Sequence, residues 1–524
     1  MRLRRRDFVK RSGMAAAGLA LPWLQTGCIR NRPLPRLLAS RAPLPPQFAV
    51  PLPRPPVLRP VRSDDKSDYY EMTARTAKLP ILPGLTTEIW GYEGTVPGPT
   101  IEARQGRAVS LKLRNELARP IVNHLHGGRT PPESDGYPTD LILPVNGWDV
   151  AAHRGMSGMA GDPRARISQG ERIHTYPNEQ RAATLWYHDH RMDFTAAQVW
   201  RGLAGFYILR DEDELKLPLP RGEKEWPLLI CDRSFDRDGS LLYPSLDRAL
   251  LERGGVEPEY MGGVLGDVML VNGAPWPQLE VANTRYRFRI LNACNARQLE
   301  LALETSGAGP REFVQIGSDG GLLAAPLRHK TIRMAPAERF DVVIDFAGVP
   351  KGAAVTLVNR AGTGAMAQIL RFVVAREEKD EATVPERLST LEPADASRAT
   401  VTRTFDFSYQ GMDRQGMERG WTINGKPFDA ARMDATPKLG ATEIWQMRTD
   451  FSHPLHLHLV HFQVLSHSGR PGPYDAGMKD TLNLGAGQTA NLLIHFAGYR
   501  GRYVFHCHNL EHEDMAMMAN FEVV

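Results

Sequence analysis

Eight of the chain's 16 histidines fall in four His-x-His pairs: His124/His126, His188/His190, His456/His458 and His506/His508. Composition alone would give roughly half of one such pair in a chain this long. An isolated histidine is best read as a satisfied core group, but four pairs, two early and two late, form a pattern. On a β-strand, residues i and i+2 project from one face ~6.5–7 Å apart, so one strand can offer two imidazoles to neighbouring ions. Eight ring nitrogens exceed the needs of one four-coordinate ion and suit a cluster of two or three. Between His506 and His508 stands Cys507, which must point to the opposite face and cannot join that cluster. His512 and Met517 follow it by five and ten residues, and His453 lies just ahead of His456. Two imidazoles, one thiolate and a weak thioether are the ligand set of a blue-copper electron-transfer centre. Zinc would favour more thiolates or carboxylates and has no use for the methionine.

The elements that must carry these residues are short strands. The 47 Gly and 40 Pro point to many turns rather than long helices. A turn signal followed by a period-two strand recurs three times: Gly94–Glu102 before Val109–Arg114, Asn272–Glu280 before Tyr286–Ile290, and Asn424–Phe428 before Glu443–Met447. The offsets match domain length. The endings repeat too: His188-Asp189-His190 runs on to Gly205–Leu209, and His506-Cys507-His508 runs on to Asn520–Val524. The first and third units therefore read as diverged copies, with Asp189 in place of the cysteine. Many short strands with Gly/Pro turns favour β-sandwiches. The charged stretch 210–216 and the polar stretch 375–397 read as linkers.

At 524 residues and 58.4 kDa the chain has room for about three domains. With 42% hydrophobic and 24% charged residues it is not disordered throughout. No apolar run reaches the ~18–20 residues of a spanning helix. Of 64 Lys/Arg and 60 Asp/Glu, six and one lie in residues 1–28, leaving 58 and 59 in the remainder. The net charge of +4 thus belongs to the leader and argues for no nucleic-acid partner. Four cysteines exclude a disulfide framework; Cys231 and Cys294 read as buried free thiols. Within residues 1–28, Arg5-Arg6-Asp7-Phe8-Val9-Lys10 and the apolar stretch Gly13–Leu24 resemble a twin-arginine export signal. That implies a translocase partner and a periplasmic or cell-envelope location. Gly27-Cys28 resembles a lipoprotein box, making Cys28 a candidate lipid anchor. Residues 29–62 read as an extended tether outside any core, with ten prolines between Pro33 and Pro60.

His124-Leu125-His126, His188-Asp189-His190, His453-Pro454-Leu455-His456-Leu457-His458 and the run His506, Cys507, His508, His512, Met517 resemble the four copper signatures of the multicopper oxidases. From about Ser63 to Val524, stretches such as His126–Gly136, Ile316–Gly321 and Ala335–Asp341 resemble the bacterial spore-coat laccase and bilirubin oxidase branch. The resemblance implies an all-β fold of three cupredoxin-like Greek-key β-sandwich domains at 63–212, 213–385 and 386–524. It implies four copper ions. His453, Cys507, His512 and Met517 would hold the type 1 ion, and His124 and His456 the type 2 ion. His126, His188, His190, His458, His506 and His508 would hold the type 3 pair. The middle domain, without a His-x-His pair, reads as architectural.

The activity so implied takes single electrons from a small-molecule donor at the type 1 site, near the surface by His512. It passes four of them through Cys507 and the backbone to the cluster, where O2 becomes two waters. Acids matching Asp135 and Glu513 serve that cluster with protons. The expected donor is phenolic or a related aromatic, with a bilirubin-type tetrapyrrole oxidase as a close variant. A copper-tolerance enzyme oxidising Cu(I) is the alternative, with Met156, Met159, Met412 and Met417 as soft ligands. The dense Met-rich insert of that branch is missing. A copper-free scaffold does not fit the intact ligand set. The chain is expected to be a monomer. His153, His174, His329, His461, His467 and His495 are assigned no metal.

Overall fold

The computed structural model describes residues 33–148, 162–305, 307, 309–411 and 420–524. The twin-arginine segment, Cys28, His153, Met156, Met159, Met412 and Met417 lie outside the described residues. Those from Pro33 onward form one compact unit.

Strands dominate because the sequence alternates. In Ala108–Asn115, Val109, Leu111 and Leu113 are buried while Ser110, Lys112 and Arg114 lie toward solvent. The strands pair into three two-sheet sandwiches. The first joins a five-stranded sheet to a four-stranded one ordered Gly98–Arg104, Ala204–Arg210, Ala183–Asp189, Asn123–His126. The second packs a seven-stranded sheet on a five-stranded one between residues 225 and 376. In the third, a five-stranded sheet faces four strands ordered Thr481–Leu484, His453–Leu457, Gly501–Cys507, Met518–Val523. The fold is the expected all-β set of cupredoxin-like Greek-key sandwiches.

The two four-stranded sheets correspond. His124 pairs with His188 across one and His456 with His506 across the other. Their histidine strands are buried on both faces, Ala183–Asp189 and His453–Leu457 along their whole length. One face packs the sandwich core through Leu125, Leu185 and Tyr187, or through Leu455, Leu457 and Phe505. The other face turns its imidazoles toward the partner sandwich.

Two segments differ from expectation. Residues from Pro33 to Pro60 are extended, yet they are a strap packed on the body and not a free tether. Ala42, Phe48 and Leu52 join the largest core, and Arg36–Leu37 pairs with Val264–Leu265. The prolines exclude a regular ladder, but the apolar residues between them fill grooves and the remaining amides bond, as in Phe48 N–H to Trp276 O at 2.7 Å. The charged stretch after Arg210 is likewise no loose linker. It forms the helix Glu212–Lys216, whose buried Glu214 pairs with Arg287 and Arg289 of the second sandwich. Such charges tolerate burial only because each meets its opposite.

Candidate metal centre

The histidine faces of the first and third sandwiches meet. His124 stacks on His458 at 3.8 Å between ring centroids, and His126 on His456 at 3.6 Å. His188, His190, His506 and His508 close the group, and all eight are at most 1% exposed. Every pair inferred from the sequence thus reaches one site.

The ring nitrogens divide by role. The outer ones are held: His124 Nδ1 by the Asp135 carbonyl at 2.6 Å, His188 Nδ1 by the Asp189 carbonyl at 2.8 Å, and His456 Nδ1 by the Asp480 carbonyl at 2.9 Å. His458 Nδ1 donates to the Asp135 carboxylate at 2.7 Å, and His126 Nε2 lies 3.0 Å from Asp480 Oδ1. Each contact fixes a tautomer and aims the other nitrogen inward. The inward atoms His124 Nε2, His126 Nδ1, His188 Nε2 and His456 Nε2, with both nitrogens of His508, are buried and find no hydrogen-bond partner. Nε2 of His190 and of His458 each lie 3.3 Å from Nε2 of His506. Burial first, and then neighbouring imidazoles, keeps His124 and His458 well below the ordinary histidine range. Burial likewise brings His188 down to about 3 and His190 to about 4. Buried imidazoles with converging, unpartnered lone pairs are a donor set suited to cations. Triads of these atoms within 4.8 Å of one another include His124, His126, His188 and His190, His458, His506.

The second site lies on the reverse of the strand Gly501–Cys507. Cys507 Sγ is 3.3 Å from His453 Nδ1 and 3.6 Å from His512 Nδ1, and the two Nδ1 atoms are 3.2 Å apart. Burial pushes the Cys507 thiol far above its usual range, so a thiolate there calls for a cation beside it. Met517 is fully buried in the same core, and its carbonyl accepts from Cys507 N–H at 3.1 Å. The reversal that brings it back uses Ala516 at φ 75°, a left-handed conformation costing about 1–2 kcal/mol. His512 is 3% exposed, its ring stacked at 3.6 Å on the fully buried Trp421.

Both inferred acids reach the cluster. Glu513 sets its carboxylate 3.1 Å from His506 Nδ1 and 3.3 Å from His190 Nδ1. Burial alone would raise it, but those imidazoles more than offset this and bring it to about 2. Asp135, fully buried, is raised well above its ordinary value by desolvation. The helix Leu510–Asp514 carries two further buried acids. Glu511 accepts from Tyr243 O–H, Asn295 Nδ2–H and Val264 N–H of the second sandwich. Asp514 accepts from Thr195 and Ala196 N–H of the first.

Sequence reasoning missed an outer layer. Asp480 touches His126 and pairs with Arg339, which also lies 3.6 Å from Asp319; Lys479 bridges Asp319 and Glu338 at 3.2 and 3.1 Å. The middle sandwich thereby supports the cluster through Arg339. Of the histidines left without a metal, His461 meets the Gly127 carbonyl, His467 pairs with Asp475, and His329 and His495 meet Gln315 and Thr442. His174 is buried without a partner on either nitrogen. Cys231 and Cys294 are buried free thiols.

Multicopper oxidase family models match residues 73–148, 138–214 and 399–524. A laccase from Bacillus stratosphericus is 37% identical, with 91% of this chain and 99% of that protein aligned. A bilirubin oxidase from Albifimbria verrucaria is 33% identical over 92% of this chain and 82% of its own length. The crystal structure of a laccase from Pediococcus acidilactici superposes with a TM-score of 0.78 at 30% identity, covering 93% of this chain and 96% of that one. With its converging histidines and its thiol centre, the chain belongs to the multicopper oxidase family, as an oxidoreductase that couples copper-dependent oxidation of its substrates to the reduction of O2.

Proposed function

We propose that the protein is an exported, laccase-like oxidase holding four copper ions and acting on phenolic or related aromatic donors. His453, Cys507, His512 and Met517 hold the type 1 ion, and His124 and His456 the type 2 ion. His126, His188, His190, His458, His506 and His508 hold the type 3 pair. The observation that carries this reading is the set of buried inward nitrogens without hydrogen-bond partners, beside a thiol within 3.6 Å of two imidazoles. When bound, copper supplies the one-electron chemistry at the thiol site and the surface on which O2 is reduced at the cluster.

The chain's own residues do the rest. Cys507 lies between His506 and His508, so one strand joins the two sites by covalent bonds alone. Asp135 and Glu513 hold the Nδ1 edges of His458 and of His506 and His190, where a carboxyl group can pass protons inward. Tight packing of the rings excludes bulk water. Aromatic donors are favoured by the laccase and bilirubin oxidase relatives, and by an Ochrobactrum multicopper oxidase, 28% identical, described as active toward lignin model compounds. Export through the twin-arginine translocase to the periplasm or cell envelope is supported by Arg5-Arg6 and the apolar stretch behind them; Cys28 remains a candidate anchor.

The test is a donor panel on copper-loaded protein with oxygen uptake as readout, alongside copper content and the visible spectrum. Four coppers per chain, a blue band and preference for phenols or bilirubin are expected. Preference for Cu(I) would assign it instead with the metallo-oxidase relative from Campylobacter jejuni, 25% identical.

A further inference from the structure

We propose that the strap, through its residues 34–38, is a positioning element for the thiol site: it presses segment 261–264 of the second sandwich onto Asn509 and thereby sets the midpoint potential at Cys507. The inference rests on the reading of His453, Cys507 and His512 as a copper site.

Segment 261–264 lies between the strap and the shell of that site. On its inner side, the Met261 carbonyl accepts from Trp421 Nε1–H and the Gly262 carbonyl from Asn509 Nδ2–H, both at 3.1 Å. Val264 N–H donates to Glu511 Oε2 at 3.2 Å. Gly263, at φ 126°, leaves no room for a side chain: a Cβ there would lie 3.0 Å from Asn509 Nδ2 and overlap the Ala296 methyl. On the outer side the strap closes the gap. Leu34 runs so near Gly262 that a Cβ there would fall on the Leu34 backbone. Arg36 and Leu37 then pair in parallel with Val264 and Leu265. Arg36 N–H donates to the Gly263 carbonyl and Leu38 N–H to the Leu265 carbonyl, both at 2.8 Å. Ser40 N–H fastens to Asp267 at 2.7 Å, and Ser234 Oγ–H to the Leu38 carbonyl at 2.6 Å. The two glycines let backbone pack on backbone, so no side chain between strap and Asn509 can absorb a displacement.

Asn509 touches two members of the thiol site. Its N–H donates to Cys507 Sγ at 3.4 Å. Its Oδ1 accepts from His512 N–H at 3.4 Å, capping the helix Leu510–Asp514, and its Nδ2 lies 3.2 Å from His512 Nε2. A donor on the sulfur draws charge off the thiolate and favours the reduced site, and hydrogen bonding around that sulfur tunes the potential of a blue-copper centre. Residues that belong wholly to the third sandwich are thereby tuned from the opposite end of the fold.

A strap that only adds stability would leave the potential alone, and this decides the test. Copper-loaded Arg36→Pro, Gly262→Ala and Arg36→Ala are compared with wild type by redox titration of the blue band and by urea unfolding. Arg36→Pro removes the N–H that bonds Gly263, and Gly262→Ala pushes Leu34 off the segment. Arg36→Ala loses only an exposed ion pair with Glu259 and is the control. The blue band should persist in all three. In Arg36→Pro and Gly262→Ala the equilibrium with a one-electron mediator should shift about threefold toward the oxidised site, a fall of about 30 mV in midpoint potential. Arg36→Ala should stay at the wild-type value. Wild-type or raised potentials in Arg36→Pro and Gly262→Ala, with or without a loss of stability, overturn the proposal and leave the strap a structural tie. An equal fall in Arg36→Ala overturns it too, by assigning the effect to the ion pair. Should Gly262→Ala fail to fold, Arg36→Pro decides alone. A wild-type protein without a blue band would instead defeat the copper-site reading beneath it.

Discussion

Asp189 and Cys507 occupy the same place in two copies of one frame. Each lies between two cluster histidines, at the end of a strand whose neighbour presents the other pair. Each side chain accepts the backbone N–H two residues on, Asp189 Oδ2 from Arg191 at 3.0 Å and Cys507 Sγ from Asn509 at 3.4 Å. Around them the copies diverge. At the offsets that give His453, His512 and Met517 in the third sandwich, the first has Ile121, Phe194 and Val199, all at most 1% exposed. The carboxylate takes two further donors, Val122 N–H and Gln198 Nε2–H. One position thus serves either as a ligand or as a backbone clamp. The cluster needs both copies, whereas the thiol site needs only one.

The comparison breaks most visibly at the thiol. Cys507→Ser should abolish the blue band and turnover while cluster copper, measured by metal analysis, stays bound; a persisting blue band would show that the thiolate is elsewhere. Next comes Glu513, whose matching offset in the first copy holds Thr195. Glu513→Gln keeps shape but removes the titratable proton. Stopped-flow reoxidation by O2 should slow by roughly 10²-fold, with anaerobic reduction of the thiol site unaffected. Asp135→Asn is expected to act the same way. Normal reoxidation in both variants would reduce these acids to structural groups.

Asp189→Ala should keep the blue band but leave buried donors unpaired, lowering unfolding free energy by at least about 2 kcal/mol. Burial lifts Asp189 to about 7, against about 3.9 for the free residue, so the folded protein binds this proton more tightly than the unfolded one. Its stabilising share is full below the unfolded value and is lost as pH rises to the folded one. The gap between wild type and variant in urea unfolding should therefore narrow from about pH 4 to pH 7; a gap that widens would reverse the assignment. The smallest change is Met517→Leu, which gives the third copy an aliphatic side chain as at Val199. It should raise the midpoint potential of the blue site, since a weak thioether is withdrawn. A fall, or no change, in redox titration would mean the axial position belongs to another residue.

The parts of the site that could be read in advance depend on local periodicity. His124 with His126, and Cys507 set against His506 and His508, follow from the two-residue alternation of a strand. What stayed hidden depends on contacts between distant segments. Arg339 reaches Asp480 across 141 residues, and Trp421 reaches His512 from another sheet. The proline count spoke for a free strap, but Phe48 and Leu52 find grooves that exist only once the sandwiches have formed. Glu214 likewise carried no sign that its charge would be buried against Arg287 and Arg289.

The short helix Leu510–Asp514 has a consequence for how the protein matures. Within four residues, Glu511 is tied to the second sandwich, His512 to the thiol site, Glu513 to the cluster and Asp514 to the first sandwich. The helix therefore lies where the three sandwiches meet, and contacts to each of them fix its place. A chain with the first sandwich undocked lacks His124, His126, His188 and His190 at the cluster, so a blue colour from the thiol site would report the third sandwich alone and would be no sign that the oxygen-reducing cluster is complete.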